Sequence, residues 1–115
     1  MIPLNVIHKA VCSFYYLDDK ELFIKTRKRE IVEPRQIFHY LSRKLNKNLL
    51  STNTIGRYYY KETGEKWDHC SVLHSTNVVS DLIETDRTFK ERVKLITNMA
   101  NELDELHNES FKKAV

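Results

Sequence analysis

Trp67-Asp68-His69-Cys70-Ser71-Val72-Leu73-His74-Ser75 is the stretch whose reading decides the fold. Asp68 suits a helix N-cap, because its carboxylate can accept from the unpaired amides of a first turn. Val72, Leu73, Thr76, Val79 and Ile83 follow at helical spacing and predict one buried stripe. Cys70, His74, Asn77 and Asp81 then fall on the opposite face. A first turn that carries a carboxylate, an imidazole, a thiol and a hydroxyl has the donors and acceptors needed to read base edges in a major groove. The same pattern also describes a capped amphipathic helix with a polar outer face.

Upstream of this helix the chain predicts a partner for it. A helix beginning at Ser51 or Thr52 carries Ile55 and Gly56, then leads through Tyr58-Tyr59-Tyr60 to a turn at Thr63-Gly64-Glu65. The two helices make a helix-turn-helix over about 51–84. The tyrosine run admits base stacking, or one ring in the core with the others at its edge, and Trp67 shares that ambiguity. Before it, Pro34 predicts the start of a helix with Ile37, Phe38, Leu41 and Leu45 on its core face. Arg35, Gln36, Arg43, Lys44 and Lys47 are left for solvent or phosphate, and Asn46 to Asn48 ends the helix. The segment 25–33 reads as a basic loop. Further back, Pro3 opens a first helix with Val6, Ile7, Ala10, Val11 and Phe14 buried, and Asp18 with Glu21 resembles a capping box for a short second helix. Downstream, a last helix over about 86–113 carries Phe89, Val93, Ile96, Met99, Leu103 and Leu106. The expectation is one all-α domain over 1–115, since two glycines and two prolines leave little loop.

The formal net charge of +3 is unevenly spread. Residues 1–66 hold 13 Lys and Arg against 7 Asp and Glu, whereas residues 67–115 hold 6 against 9. A basic segment peaking between Lys25 and Lys47 suits a polyanion, or an ordinary solvated face. Cys12 and Cys70 make no disulfide framework. Neither a secretory leader nor an apolar run of membrane-spanning length is visible, so the expected compartment is the cytoplasm. His8 with Cys12 and Cys70 with His74 have ligand spacing, but both pairs are placed opposite the apolar stripes and should not converge, so no metal is expected. Cys70 beside His69 lacks an orienting third group, and Gly56 and Gly64 cannot build a P-loop. Neither an enzyme nor a cofactor is expected.

Asp68-His69-Cys70-Ser71-Val72-Leu73-His74-Ser75 resembles the Asp-His-Thr-Thr-Val-Leu-His-Ala stretch that opens the recognition helix in the C-terminal DNA-binding domain of the bacterial replication initiator DnaA family. Lys25-Thr26-Arg27-Lys28-Arg29 with Pro34-Arg35-Gln36 is similar to that domain's basic loop and helix start, in the same order. The resemblance covers roughly residues 2–96 and implies a Trp-repressor-like helix-turn-helix bundle without the initiator's ATPase module. It implies that Arg27 enters a minor groove, a use that the negative potential of A·T-rich tracts supports. Arg35 aligns with a DNA-contacting arginine, Gln36 shares its helix start, and Arg43 aligns with a basic residue near DNA. Asp68 accepts from a cytosine amino group, caps its helix, or does both. His69 aligns with a base-contacting histidine, while its place on the helical wheel leans toward the core. Ser71 keeps a family hydroxyl; Cys70 loses both hydroxyl and methyl; His74 suits a phosphate or solvent.

Two departures stand out: more residues separate Gly56 from Asp68 than in the family's Gly-Gly-Arg turn, and the last helix runs past the family's usual end. The implied function is sequence-specific binding of double-stranded DNA by a stand-alone domain that regulates replication or transcription. The alternative is a protein-interaction module that keeps the fold without site-specific DNA binding. Partners on these readings are DNA, replication or transcription proteins, and a second copy through the last helix.

Overall fold

Regular structure begins one residue after Pro3 and is helical throughout the described residues. The computed structural model describes residues 1–114, and the side chains of residues 1–108. Helix α1 spans Leu4–Tyr15, a 3-10 turn follows at Glu21–Phe23, and α2 spans Arg29–Lys44. Helix α3 spans Thr52–Arg57, the single turn α4 spans Tyr60–Thr63, α5 spans His69–Thr85 and α6 spans Arg87–Ala114. No helix among the described residues is long and apolar enough to cross a membrane.

The caps follow the local chemistry. Ser51 accepts from the Thr54 amide at 3.1 Å and starts α3. Asp68 accepts from the Ser71 amide at 2.7 Å and starts α5. Asp86 accepts from the Phe89 amide at 3.1 Å at the head of α6. Each leaves one fewer amide without an acceptor in a first turn. At the end of α2 the backbone passes through left-handed Lys47 and Asn48, and the Asn48 amide returns to the Arg43 carbonyl at 2.8 Å. Asn46 is buried there, bonding both the N–H and the C=O of Ile2 and so tying the N-terminus to α2.

Three expectations need correction. The basic loop 25–33 is shorter, because α2 already starts at Arg29 and takes Pro34 inside it. Pro34 lacks the N–H that would bond the Glu30 carbonyl, but Glu30 is exposed and water can serve it. Burial of Ile31 and the contacts of Glu33 favour the extra turn: Glu33 accepts from the Tyr15 hydroxyl at 2.8 Å and from Arg92 at 2.7 Å, joining α1, α2 and α6. The short second helix is only a 3-10 turn; Glu21 reaches back to the Asp18 amide at 3.0 Å, but the Asp18 side chain makes no reciprocal bond. His8 and Cys12 do not face outward. Both are buried, and the His8 ring meets Phe23, Phe38, Tyr58 and Tyr59 edge-on or nearly so.

That aromatic cluster is continuous with the apolar core. Ile7 and Val11 of α1, Ile37, Phe38 and Leu41 of α2, Ile55 of α3, Val72 and Val79 of α5, and Phe89, Val93 and Ile96 of α6 belong to one buried group. Fully burying a side chain such as Phe38 contributes on the order of 2 kcal/mol. On α5 the buried stripe is centred on Val72, Ser75 and Val79, so Leu73, Thr76 and Ile83 lie at its flanks. Among the described residues of α6, Met99 and Leu103 pack against the core, and Leu106 stays exposed.

The contact between α2 and α5 includes a polar pair. His39 is buried, and its Nδ1 meets the Ser75 hydroxyl at 3.1 Å, while its Nε2 has no partner. Burial, then the positive charge of Arg35, pulls its pKa down to about 3. The unfolded state therefore binds a proton that the folded state refuses between about pH 6.5 and 3. Stability is full above that window and falls as pH is lowered into it. Thermal or urea unfolding at pH 7 and pH 5 should show a loss on the order of 2 kcal/mol from this group. His8, also shifted down by burial, adds in the same direction. His39→Gln should flatten the dependence, leaving the His8 share; an unchanged slope would refute the assignment.

Candidate nucleic-acid interface

The first turn of α5 stands beside the first half of α2 because Gly56 lets the chain cross closely. The Trp67 amide donates to the Gly56 carbonyl at 2.8 Å. A Cβ at Gly56 would lie 1.9 Å from the Trp67 carbonyl oxygen, so no other residue fits without moving the backbone. The additional residues of the turn thus leave the junction closed. They form α4, which ends at left-handed Gly64, with Tyr58 and Tyr59 in the aromatic cluster and Tyr60 exposed.

An open depression of about 330 Å³ lies between α2 and α5. Arg35 and Gln36 contribute from α2, and Trp67, Asp68, Cys70, Ser71, His74 and Ser75 from the start of α5. Six of the residues singled out from sequence thus meet at one place. A second depression of about 550 Å³ is lined by Lys25, Thr26, Arg27 and Val32, and shares Arg35 and Trp67 with the first. Arg27 therefore adjoins the site and is exposed. Arg43 lies farther along α2, half-exposed, and lines neither depression.

Asp68 is fully exposed at the rim, and the amide and hydroxyl of Ser71 hold its carboxyl below the usual range. It is a carboxylate at neutral pH, with one oxygen committed to the cap. Cys70 and His74 are exposed, as the helical wheel indicates. His69 departs from its predicted lean toward the core: it is exposed, and its Nδ1 bonds the Thr52 hydroxyl at the head of α3.

Arg35 is the largest departure. The spacing leaves it for solvent or phosphate, yet only 6% of it is exposed. Its guanidinium lies 3.9 Å from the centre of the Trp67 ring, and its Nη1 donates to the Ile24 carbonyl at 3.0 Å. Burial lowers its pKa to about 10, which still leaves it charged at neutral pH. Trp67 lines both depressions, a place that spacing did not reveal. A tryptophan before a helix cap carries no signal that an arginine on another helix will lie across it.

Two ligand pairs were candidates for a metal, and they stand apart. Cys70 and His74 are exposed on α5, whereas His8 and Cys12 group with Asp19 within 4.8 Å. Both His8 nitrogens already have partners, the Tyr58 hydroxyl at 3.0 Å and the Asp19 carbonyl at 2.8 Å. Burial raises the Cys12 thiol to about 12, which disfavours the thiolate a metal needs.

Known proteins bear on this geometry. The family model described as the bacterial dnaA protein helix-turn-helix matches residues 4–79, from the start of α1 into α5. Curated relatives called chromosomal replication initiator protein DnaA are similar to most of the chain. The one from Bacteroides thetaiotaomicron is 35% identical over 98 residues, covering 85% of this chain and 19% of the relative. The one from Oenococcus oeni is 35% identical over 102 residues, covering 89% and 21%. The one from Ehrlichia ruminantium strain Gardel is 31% identical over 98 residues, covering 85% and 20%. The chain thus spans about a fifth of the length of the relatives it matches.

The two glycines predict different outcomes on substitution. Gly56→Ala should destabilise by about 3 kcal/mol, because the new methyl meets backbone. Gly64→Ala has open space and a φ of +73°, so left-handed strain alone should cost about 1 kcal/mol. Urea melts compare them directly; equal losses would contradict the close crossing at Gly56.

Proposed function

This chain belongs to the bacterial DnaA helix-turn-helix family, and on that premise we propose that it binds double-stranded DNA in a sequence-dependent way. The first turn of α5 enters the major groove with Asp68, His69, Cys70 and Ser71. Arg27, on the exposed segment before α2, enters the adjoining minor groove. Arg43 and His74 meet the phosphate backbone, and Gln36, which lines the depression with His74, contacts the same DNA. The proposed role is regulation of replication or transcription at the sites so recognised.

The observation that carries this reading is the convergence of Arg35, Gln36, Asp68, Cys70, Ser71 and His74 on one open depression, with Arg27 beside it. An open depression lined mainly by polar side chains, with a helix N-terminus and a basic flank beside it, suits a groove edge and its phosphates better than a small molecule. Cys70 stands where the family carries threonine, so the preferred site is expected to differ from the family's usual box at the base that residue faces.

Selection of bound fragments from random duplexes supplies a preferred site, and affinity for that site and a scrambled duplex is then measured at fixed salt. His69→Ala and Ser71→Ala should each lower the preference by about tenfold, as the loss of one base contact does. Binding to the scrambled duplex should change little. Arg27→Ala should weaken preferred-site binding more than Lys28→Ala, because an inserted guanidinium loses groove contacts as well as screened charge. Should folded His69→Ala and Ser71→Ala retain the full preference, α5 does not read bases and the protein-interaction function replaces this one.

A further inference from the structure

We propose that Arg35 and Trp67 form a clamp that sets the spacing between the segment 24–28 and the first turn of α5, making Arg35 a positioning residue and not a phosphate contact. The proposal rests on the DNA-binding reading above and names what holds its two groove-entering elements in register.

The path from one element to the other runs through two side chains. On one side, Arg35 Nη1 donates to the Ile24 carbonyl at 3.0 Å, three residues before Arg27. On the other, the guanidinium covers the Trp67 ring at 3.9 Å, and Trp67 directly precedes the Asp68 cap. Trp67 is itself held by the hydrogen bond that its amide donates to the Gly56 carbonyl. Lys25 adds a second tie, with its ammonium 5.2 Å from the Trp67 ring centre and 3.7 Å from Glu65.

A phosphate contact has different requirements. It needs an exposed cation, whereas Arg35 is buried and already engaged through its ring stack and one donor. No acidic side chain among the described residues lies within ion-pair distance of it. A buried cation facing a π surface and a carbonyl is directional, because displacement loses both contacts at once. Lysine could not supply the same plane and fork. The ring that receives it belongs to Trp67, in the lengthened turn between Gly56 and Asp68.

The test uses the full chain with Arg35→Gln, Trp67→Leu and the conservative Trp67→Phe. Each is checked by thermal melts and by the fluorescence of Trp67, the only tryptophan, where it remains. Affinities for a selected and a scrambled duplex are taken over a salt series, and backbone order parameters are measured for residues 25–28. The clamp predicts that Arg35→Gln and Trp67→Leu lower the preference by about tenfold, comparable to losing one base contact. Both should lower order in 25–28 and leave the salt slope for the scrambled duplex unchanged, while Trp67→Phe restores preference and order. If Arg35→Gln reduces that slope by about 0.9, Arg35 meets a phosphate and the proposal falls. Unchanged order in both Arg35→Gln and Trp67→Leu also overturns it. A parent chain with no duplex preference defeats the DNA-binding reading and, with it, the positioning role, while the order parameters still report whether the clamp exists.

Discussion

The backbone contact between Gly56 and Trp67 is the constraint on which the site depends. Its hydrogen bond of 2.8 Å brings the end of α3 against the residue before α5. The missing Cβ makes that distance accessible, since any side chain at Gly56 would collide with the Trp67 carbonyl. With the junction closed, the turn can lengthen without separating the helices. Tyr58 and Tyr59 then fold into the cluster around His8, and the rest of the insertion forms α4. Length was absorbed at the surface, where loop closure grows only slowly more costly with added residues.

A second constraint lies between α2 and α5. Arg35, His39 and Ser75 are all buried at or near this contact, and His39 bonds Ser75 across it. Polar groups in such a place cost free energy unless they are paired, so they favour the one arrangement that pairs them. Apolar residues of similar volume would tolerate sliding. Through this arrangement, Gln36 of α2 and Asp68 and His74 at the start of α5 line one depression.

Much of this was legible because the signals are local. Ser51 and Asp68 each announce a helix through a side chain that bonds an amide three residues on, and both do so. The exposure of Cys70, His74, Asn77 and Asp81 follows from helical spacing alone. Pro34 misled because its rule concerns one lost hydrogen bond, while the decision at Arg29 was made by Ile31 in the core and by Glu33 bonded to Tyr15 and Arg92 on other helices. His8 and Cys12 misled for a related reason. A helix wrapped by neighbours on more than one side buries polar positions as well as its apolar stripe.

The sequence by itself determined that the fold is all-helical, where the capped helices α3 and α5 begin, and which first-turn residues α5 offers, because capping and periodicity act over a few neighbouring residues. Only the tertiary structure decided that Arg35 would leave solvent for the face of Trp67, that His69 would turn from the core to Thr52, and that Met99 and Leu103 would pack inward. Each of those outcomes depends on which distant surface reaches the side chain first. That is set by the crossing of whole helices, which is not encoded in the spacing of residues along any one of them.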